Sequence, residues 1–94
     1  MSREPEWKKE ENRIFLESET GEILAYVEFP ALREGVVDVA HTVVSPVLQG
    51  QGIAGKLMEK LTETLREDGR KAVLSCSYAV RWFEKHPECR DVLA

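Results

Sequence analysis

The sequence predicts an α+β domain: antiparallel N-terminal strands join a mixed sheet with a parallel β-α-β unit that carries a glycine-rich loop. Three observations predict it. Short β-branched and aliphatic runs fill the chain up to residue 44, apolar residues recur at helical spacing from about residue 50 to 67, and a short apolar block follows at 72–76. A length of 94 residues suits one domain, 1–94, with one core.

Residues 1–10 are charged and broken by Pro5, and read as a frayed start. Residues 12–18 hold Ile14, Phe15 and Leu16 and read as a strand. A tight turn with Gly21 occupies 19–22, and residues 23–29 form the second strand of a β-hairpin. Residues 30–35 read as a loop. The run 36–44 is the clearest strand, with Val36, Val37, Val39, Val43 and Val44 all β-branched. As one continuous strand it puts Val37, Val39, His41 and Val43 on one face, and Val36, Asp38, Ala40, Thr42 and Val44 on the other.

From about residue 50 the period changes. Ile53, Leu57, Leu61 and Leu65 recur at i, i+4, with Lys56, Glu59, Lys60, Glu63 and Arg66 on the outside. Gly69 ends this helix. Residues 72–76 are a short central strand. Residues 78–86 form a second helix with Val80, Trp82 and Phe83 for packing. Pro87 stops it, and 88–94 leave room for a last turn. The order is β-β-β-α-β-α. The unit around residues 36–77 is expected to be a right-handed crossover with parallel strands.

Composition excludes several classes. A formal net charge of −4 with mixed signs argues against a nucleic-acid binder, which needs a basic surface. No run is apolar enough to span a membrane. Met1 is followed by polar residues rather than by an apolar signal segment. Cys76 and Cys89 do not form a metal or disulfide pattern and suit free thiols in the cytoplasm. No metal is expected.

The chemistry concentrates at residues 43–58. A β-branched run ends at Ser45-Pro46, a turn with Gly50 and Gly52 follows, and a helix opens. Glycines let the backbone take positive φ and let an anion approach. The first helical turn has unpaired N–H groups at the positive end of the macrodipole. Together they form a main-chain cradle for a pyrophosphate. The same glycines also fit a plain turn and cap. No Gly-Lys-Ser/Thr follows, and Gly50, Gly52 and Gly55 do not meet the spacing of the dinucleotide fingerprint.

Gln49, Gly52 and Ala54 match the Gln/Arg-x-x-Gly-x-Gly/Ala motif, and the chain resembles the small single-domain branch of the GCN5-related N-acetyltransferases. Further blocks carry the resemblance: His41-Thr42-Val43-Val44 with Pro46, Cys76-Ser77-Tyr78, and Phe83 through Glu88. It covers roughly residues 12–90. It implies acetyl-CoA as substrate, held by Gln49, Gly50, Gln51, Gly52, Ile53, Ala54 and Gly55. Val43 and Val44 would lend backbone to the pantetheine arm. The acceptor would be a small amine or a protein amine. Larger members place helices between their first two strands, whereas four turn residues separate 18 from 23 here, so the acceptor side is short and open.

Cys76, His41 and Tyr78 are the candidate catalytic residues. Cys76 ends a strand just before a helix, whose N-terminus lowers a thiol pKa and favours the nucleophilic thiolate. The same position suits a small buried hydrophobe. His41 is a candidate base toward Cys76 or an amine, or else a structural histidine. Tyr78 is, by the resemblance, a general acid for the leaving CoA thiolate. Lys56 offers a point charge near the phosphates or is simply solvated. Three readings remain: an acyltransferase that works through a cysteine thioester, a non-catalytic CoA-binding module, and a protein-interaction domain.

Overall fold

The computed structural model describes residues 4–94. Its strands are β1 (Glu6–Glu10), β2 (Arg13–Glu17), β3 (Ile23–Glu28), β4 (Ala31–Arg33), β5 (Val36–Val39), β6 (His41–Val44) and β7 (Lys71–Leu74). Its helices are α1 (Ile53–Asp68) and α2 (Ser77–Lys85), with 3₁₀ turns at Pro46–Leu48 and Pro87–Val92. One sheet runs β1-β2-β3-β6 and is antiparallel throughout. The other runs β4-β5-β7, with β5 and β7 parallel.

The hairpin of β2 and β3 forms because its turn satisfies its own polar groups. Gly21 takes a φ of 85°, and the Ser18 hydroxyl accepts the N–H of Glu22 at 3.0 Å. Ile14, Leu16, Ala25 and Val27 face inward and are buried. Phe15 points to the other face, where the Arg13 guanidinium covers its ring at 4.4 Å. α1 lies on β2, β3 and β6, and buries Leu57, Met58, Leu61 and Leu65. Removing a leucine-sized side chain from water contributes about 1.5–3 kcal/mol, so this stripe fixes the helix to the sheet. Gly69 closes α1 in the left-handed region at φ 70°, while the N–H of Arg70 reaches back to the Leu65 carbonyl at 3.0 Å. α2 packs on β7 through Ala79, Trp82 and Phe83. The Pro87–Val92 turn is tied to α1 by a forked Arg66–Asp91 pair at 2.9 and 2.6 Å.

Three expectations need correction. Residues 6–10 are not frayed, because Trp7 is half-buried under Lys60 and β1 pairs with β2 along its whole length; residues 1–3 lie outside the described residues. The expected loop at 30–35 contains β4. The run 36–44 is two strands in two sheets. Ala40 and His41 both lie opposite Glu28: the Ala40 N–H donates to the Glu28 carbonyl at 3.0 Å, and His41 stands in register with Glu28. Two residues facing one make a β-bulge. It reverses the inward face, from Val37 and Val39 before it to Thr42 and Val44 after it.

Candidate active site

The bulge builds the site. β5 and β7 are paired up to Val39 and Leu74, and the N–H groups of Ser75 and Cys76 both donate to the Val39 carbonyl, at 3.1 and 3.0 Å. Beyond that point β6 turns away to pair with β3, and a gap opens between β6 and the start of α2. The N–H of Ser45 donates to the Leu24 carbonyl at 2.7 Å, so antiparallel alternation pairs Val43 with Tyr26 and leaves the main-chain groups of Thr42 and Val44 facing the gap. Val44 therefore turns its backbone groups into the gap. Val43 does not: its backbone belongs to the β3 ladder, and its side chain is 44% exposed on the far face.

The loop after β6 forms the floor of the gap. Gly50 and Gly52 take φ of 85° and 74°, both left-handed. Gly52 caps α1, and the first intrahelical bond runs from the Lys56 N–H to its carbonyl at 3.2 Å. The N–H groups of Ile53, Ala54 and Gly55 precede that bond, and no acidic side chain occupies the first turn. A cleft of about 150 Å³ opens onto Val44, Gln49, Gly50, Gly52, Ala54 and Tyr78, with Ile53 and Gly55 on its wall. Gln51 is not part of it, since its amide folds back to the Val47 carbonyl at 3.4 Å.

Cys76 stands at the other end of the gap, as the residue before α2, half-buried, with its sulfur 3.5 Å from the Thr42 hydroxyl. Burial pushes its thiol pKa up, but the Thr42 hydroxyl and the N–H groups of Ala79, Tyr78 and Thr42 outweigh burial and hold the thiol below its ordinary value of 9.0. Tyr78 moves the other way: burial, then the nearby Cys76 charge, raises its pKa and keeps the phenol protonated. Its hydroxyl lies toward α1, about 4.0 Å from where a Cβ on Gly55 would stand.

His41 is not brought to Cys76. It is exposed and shares with Val43 the face of β6 opposite to Thr42, the residue that meets the sulfur. Thr42, whose hydroxyl meets the Cys76 sulfur, is a residue of the gap that the sequence reading does not single out. Its signal was present, as the polar residue two before Val44 on the strand face that leads into the loop.

The sequence matches the GCN5-related N-acetyl-transferase family profile over residues 13–92. The chain belongs to the GCN5-related N-acetyltransferases. A solution structure of a GCN5-like member from Staphylococcus aureus is 32% identical; the match covers 95% of this chain and 87% of that one, with a TM-score of 0.76. A family member from Escherichia coli crystallised with CoA is 24% identical over 66% of this chain and 38% of that one, with a TM-score of 0.58. The ribosomal-protein-S18-alanine N-acetyltransferase of Escherichia coli is 21% identical over 83% and 54%, with a TM-score of 0.63. Against these last two enzymes the GCN5-related chain spans about half of the length or less, and they share its fold. No curated protein matches the sequence.

The Thr42 contact gives a direct test. Thr42→Val removes the hydroxyl and keeps the volume, so the pH midpoint for alkylation of Cys76 is expected to rise toward 9.0, while Thr42→Ser keeps the parent's lower midpoint. An unchanged midpoint in Thr42→Val would show that the hydroxyl does not tune the thiol.

Proposed function

We propose that this single domain binds acetyl-CoA in the cleft and acts as a cytoplasmic acyltransferase in which Cys76 accepts the acetyl group. The observation that carries the reading is the joining of two parts in one gap: free N–H groups at the start of α1, and the unpaired edge of β6 that leads from them to the Cys76 sulfur. The N–H groups of Ile53, Ala54 and Gly55 hold the pyrophosphate. The main chain of Val44 and the carbonyl of Thr42 pair with the pantetheine arm as an added strand would. The Cys76 thiolate attacks the thioester carbonyl, a new carbon–sulfur bond forms, and the bond to CoA breaks. Tyr78, kept protonated, supplies the proton to the departing CoA thiolate. An amine then takes the acetyl group from Cys76 and releases the thiol.

The short turn between β2 and β3 favours a second reading, a CoA-binding module without turnover, because no helix walls an acceptor there. Two free cysteines and the lack, among the described residues, of any helix long and apolar enough to cross a membrane support the cytoplasmic assignment.

Thermal unfolding with and without ligand tests the shared part of both readings. A ligand bound only by the native state at a hundredfold excess over Kd adds about 2.7 kcal/mol of stability. The melting temperature is expected to rise with CoA and to change little with adenine alone. No rise at millimolar CoA would remove the ligand. Turnover with a panel of amines then separates the enzyme from the module.

A further inference from the structure

Both helices pack on one side of the strands, where α1 and α2 share one core with the inward residues of β2, β3 and β5. The opposite face of β1-β2-β3-β6 carries residues outside that core. Phe15, Tyr26 and Val43 stand in register across it, and Arg13, Glu28 and His41 form the next row. Tyr26 is half-buried, and Ile23 and Val43 are 40% and 44% exposed.

The charges of this face are uneven. Lys8 pairs with Glu17 at 3.1 Å, and Arg13 with Glu10 at 2.9 Å. Glu4, Glu6 and Glu28 join none of the ion pairs among the described residues. Glu6 stands in register with Glu17, and these two line a cavity of about 100 Å³ with Glu4, Ser18 and Glu19. Glu28 lies at the other end, beside the gap. Its carbonyl accepts the Ala40 N–H, and the carbonyl of Val39 accepts the N–H of Cys76. Glu28 is therefore two strand spacings, about 10 Å, from the Cys76 backbone.

This unevenness selects the occupant. Two copies of the face would bring unpaired carboxylates together, so a second copy of the chain is disfavoured. A cationic chain gains at both ends, and the aliphatic stems of its long side chains suit Tyr26 and Val43. From Glu17 to Cys76 the way runs four residues along β2 and three strand spacings across, a diagonal of about 20 Å. An extended peptide covers that in about six residues.

We propose that this sheet face docks the acceptor as an extended basic peptide, with one cationic side chain in the cavity at Glu6 and Glu17 and a lysine, about six residues away, passing Glu28 to reach the acetyl group. The inference rests on the acyltransferase reading above and names the acceptor class. Glu6 and Glu28 attract the cations and take no part in the transfer.

Fluorescence anisotropy tests it with a labelled peptide that carries one lysine and two arginines about six residues beyond it, and with a counterpart that has glutamates in place of the arginines. The parent is expected to prefer the arginine peptide by about tenfold at low salt, and the preference to shrink at high salt. Glu6→Gln/Glu28→Gln is expected to lose about fivefold in affinity for the arginine peptide, as two exposed ion pairs supply. The same variant is expected to keep the rise in melting temperature with CoA, which shows a folded chain and an intact cleft. In turnover it should raise KM for the peptide and leave kcat unchanged. Equal binding of the two peptides by the parent overturns the proposal, as does an unchanged affinity in the double variant. A parent that binds the arginine peptide without acetylating it, while acetylating other amines, overturns the acceptor role. A parent that keeps the peptide preference but shows no melting shift with CoA removes the acyltransferase reading instead, and so the two failures are distinguishable.

Discussion

Gly52→Val lowers the affinity for CoA by about thirtyfold or more while the chain stays folded. Gly52 caps α1 with a φ of 74°, and a Cβ there would meet no atom within 4 Å. The cost is therefore conformational rather than a clash. An L-residue in the left-handed region costs about 1–2 kcal/mol, and a β-branched one sits at the upper end. The loop around Gly52 is exposed, so the variant can relieve the strain by turning the peptide planes around residue 52. That relief rotates the first N–H groups of α1 away from the cleft. Restoring them to bind the ligand then costs about 2 kcal/mol, which is about thirtyfold in Kd. Gly21→Val in the hairpin turn is the control, since Gly21 has a φ of 85° and equally open space, far along the chain from the cleft. Both variants are expected to lose similar thermal stability, and only Gly52→Val to lose CoA. A folded Gly52→Val protein with the parent's affinity would move the ligand elsewhere.

The same loop marks what was legible in the sequence. Gly50 and Gly52 can be read because positive φ demands a residue without Cβ, and Ile53, Leu57, Leu61 and Leu65 can be read because burial imposes a helical period. The ends of β7 and α2 follow from short apolar runs and from Pro87. The bulge at Ala40 could not be read. No glycine or proline marks it, and valines on either side suit both strands equally well. It exists because Glu28 is shared by two residues of the partner strand, a tertiary fact. Yet the bulge decides which face of 41–44 looks into the gap. Missing it made His41 a plausible neighbour of Cys76 and hid Thr42. β1 was hidden for another reason. Four of its five side chains are charged, as suits an edge strand that must not pair with other molecules, and only Trp7 ties it to the core.

Incubation with acetyl-CoA is expected to add one acetyl mass to the intact protein, mapped to Cys76, abolished in Cys76→Ala and kept in Cys89→Ala. Exchange of an acyl group between two thiols is close to balanced in energy, so the protein need supply only proximity and a larger thiolate fraction. It supplies both. The unpaired edge of β6 leads from the cradle to the sulfur, and the Thr42 hydroxyl with three N–H groups favours the thiolate. Because the folded thiol titrates below 9.0, the rate of adduct formation should rise with pH and level off earlier than for an ordinary cysteine, and Thr42→Val should move that levelling upward. Cys89 is the internal control: it too is half-buried, but its sulfur lies 4.0 Å from the Glu88 carboxylate rather than before a helix N-terminus. His41→Ala should leave the adduct intact, since the bulge turns that side chain to the other face. A Cys76→Ala protein that transfers acetyl to an amine at the parent's rate would show direct transfer from CoA, and would return Cys76 to a packing role beside Thr42. Loss of both adduct and transfer in Cys76→Ala, with CoA affinity unchanged, would place the acetyl group on the sulfur during turnover.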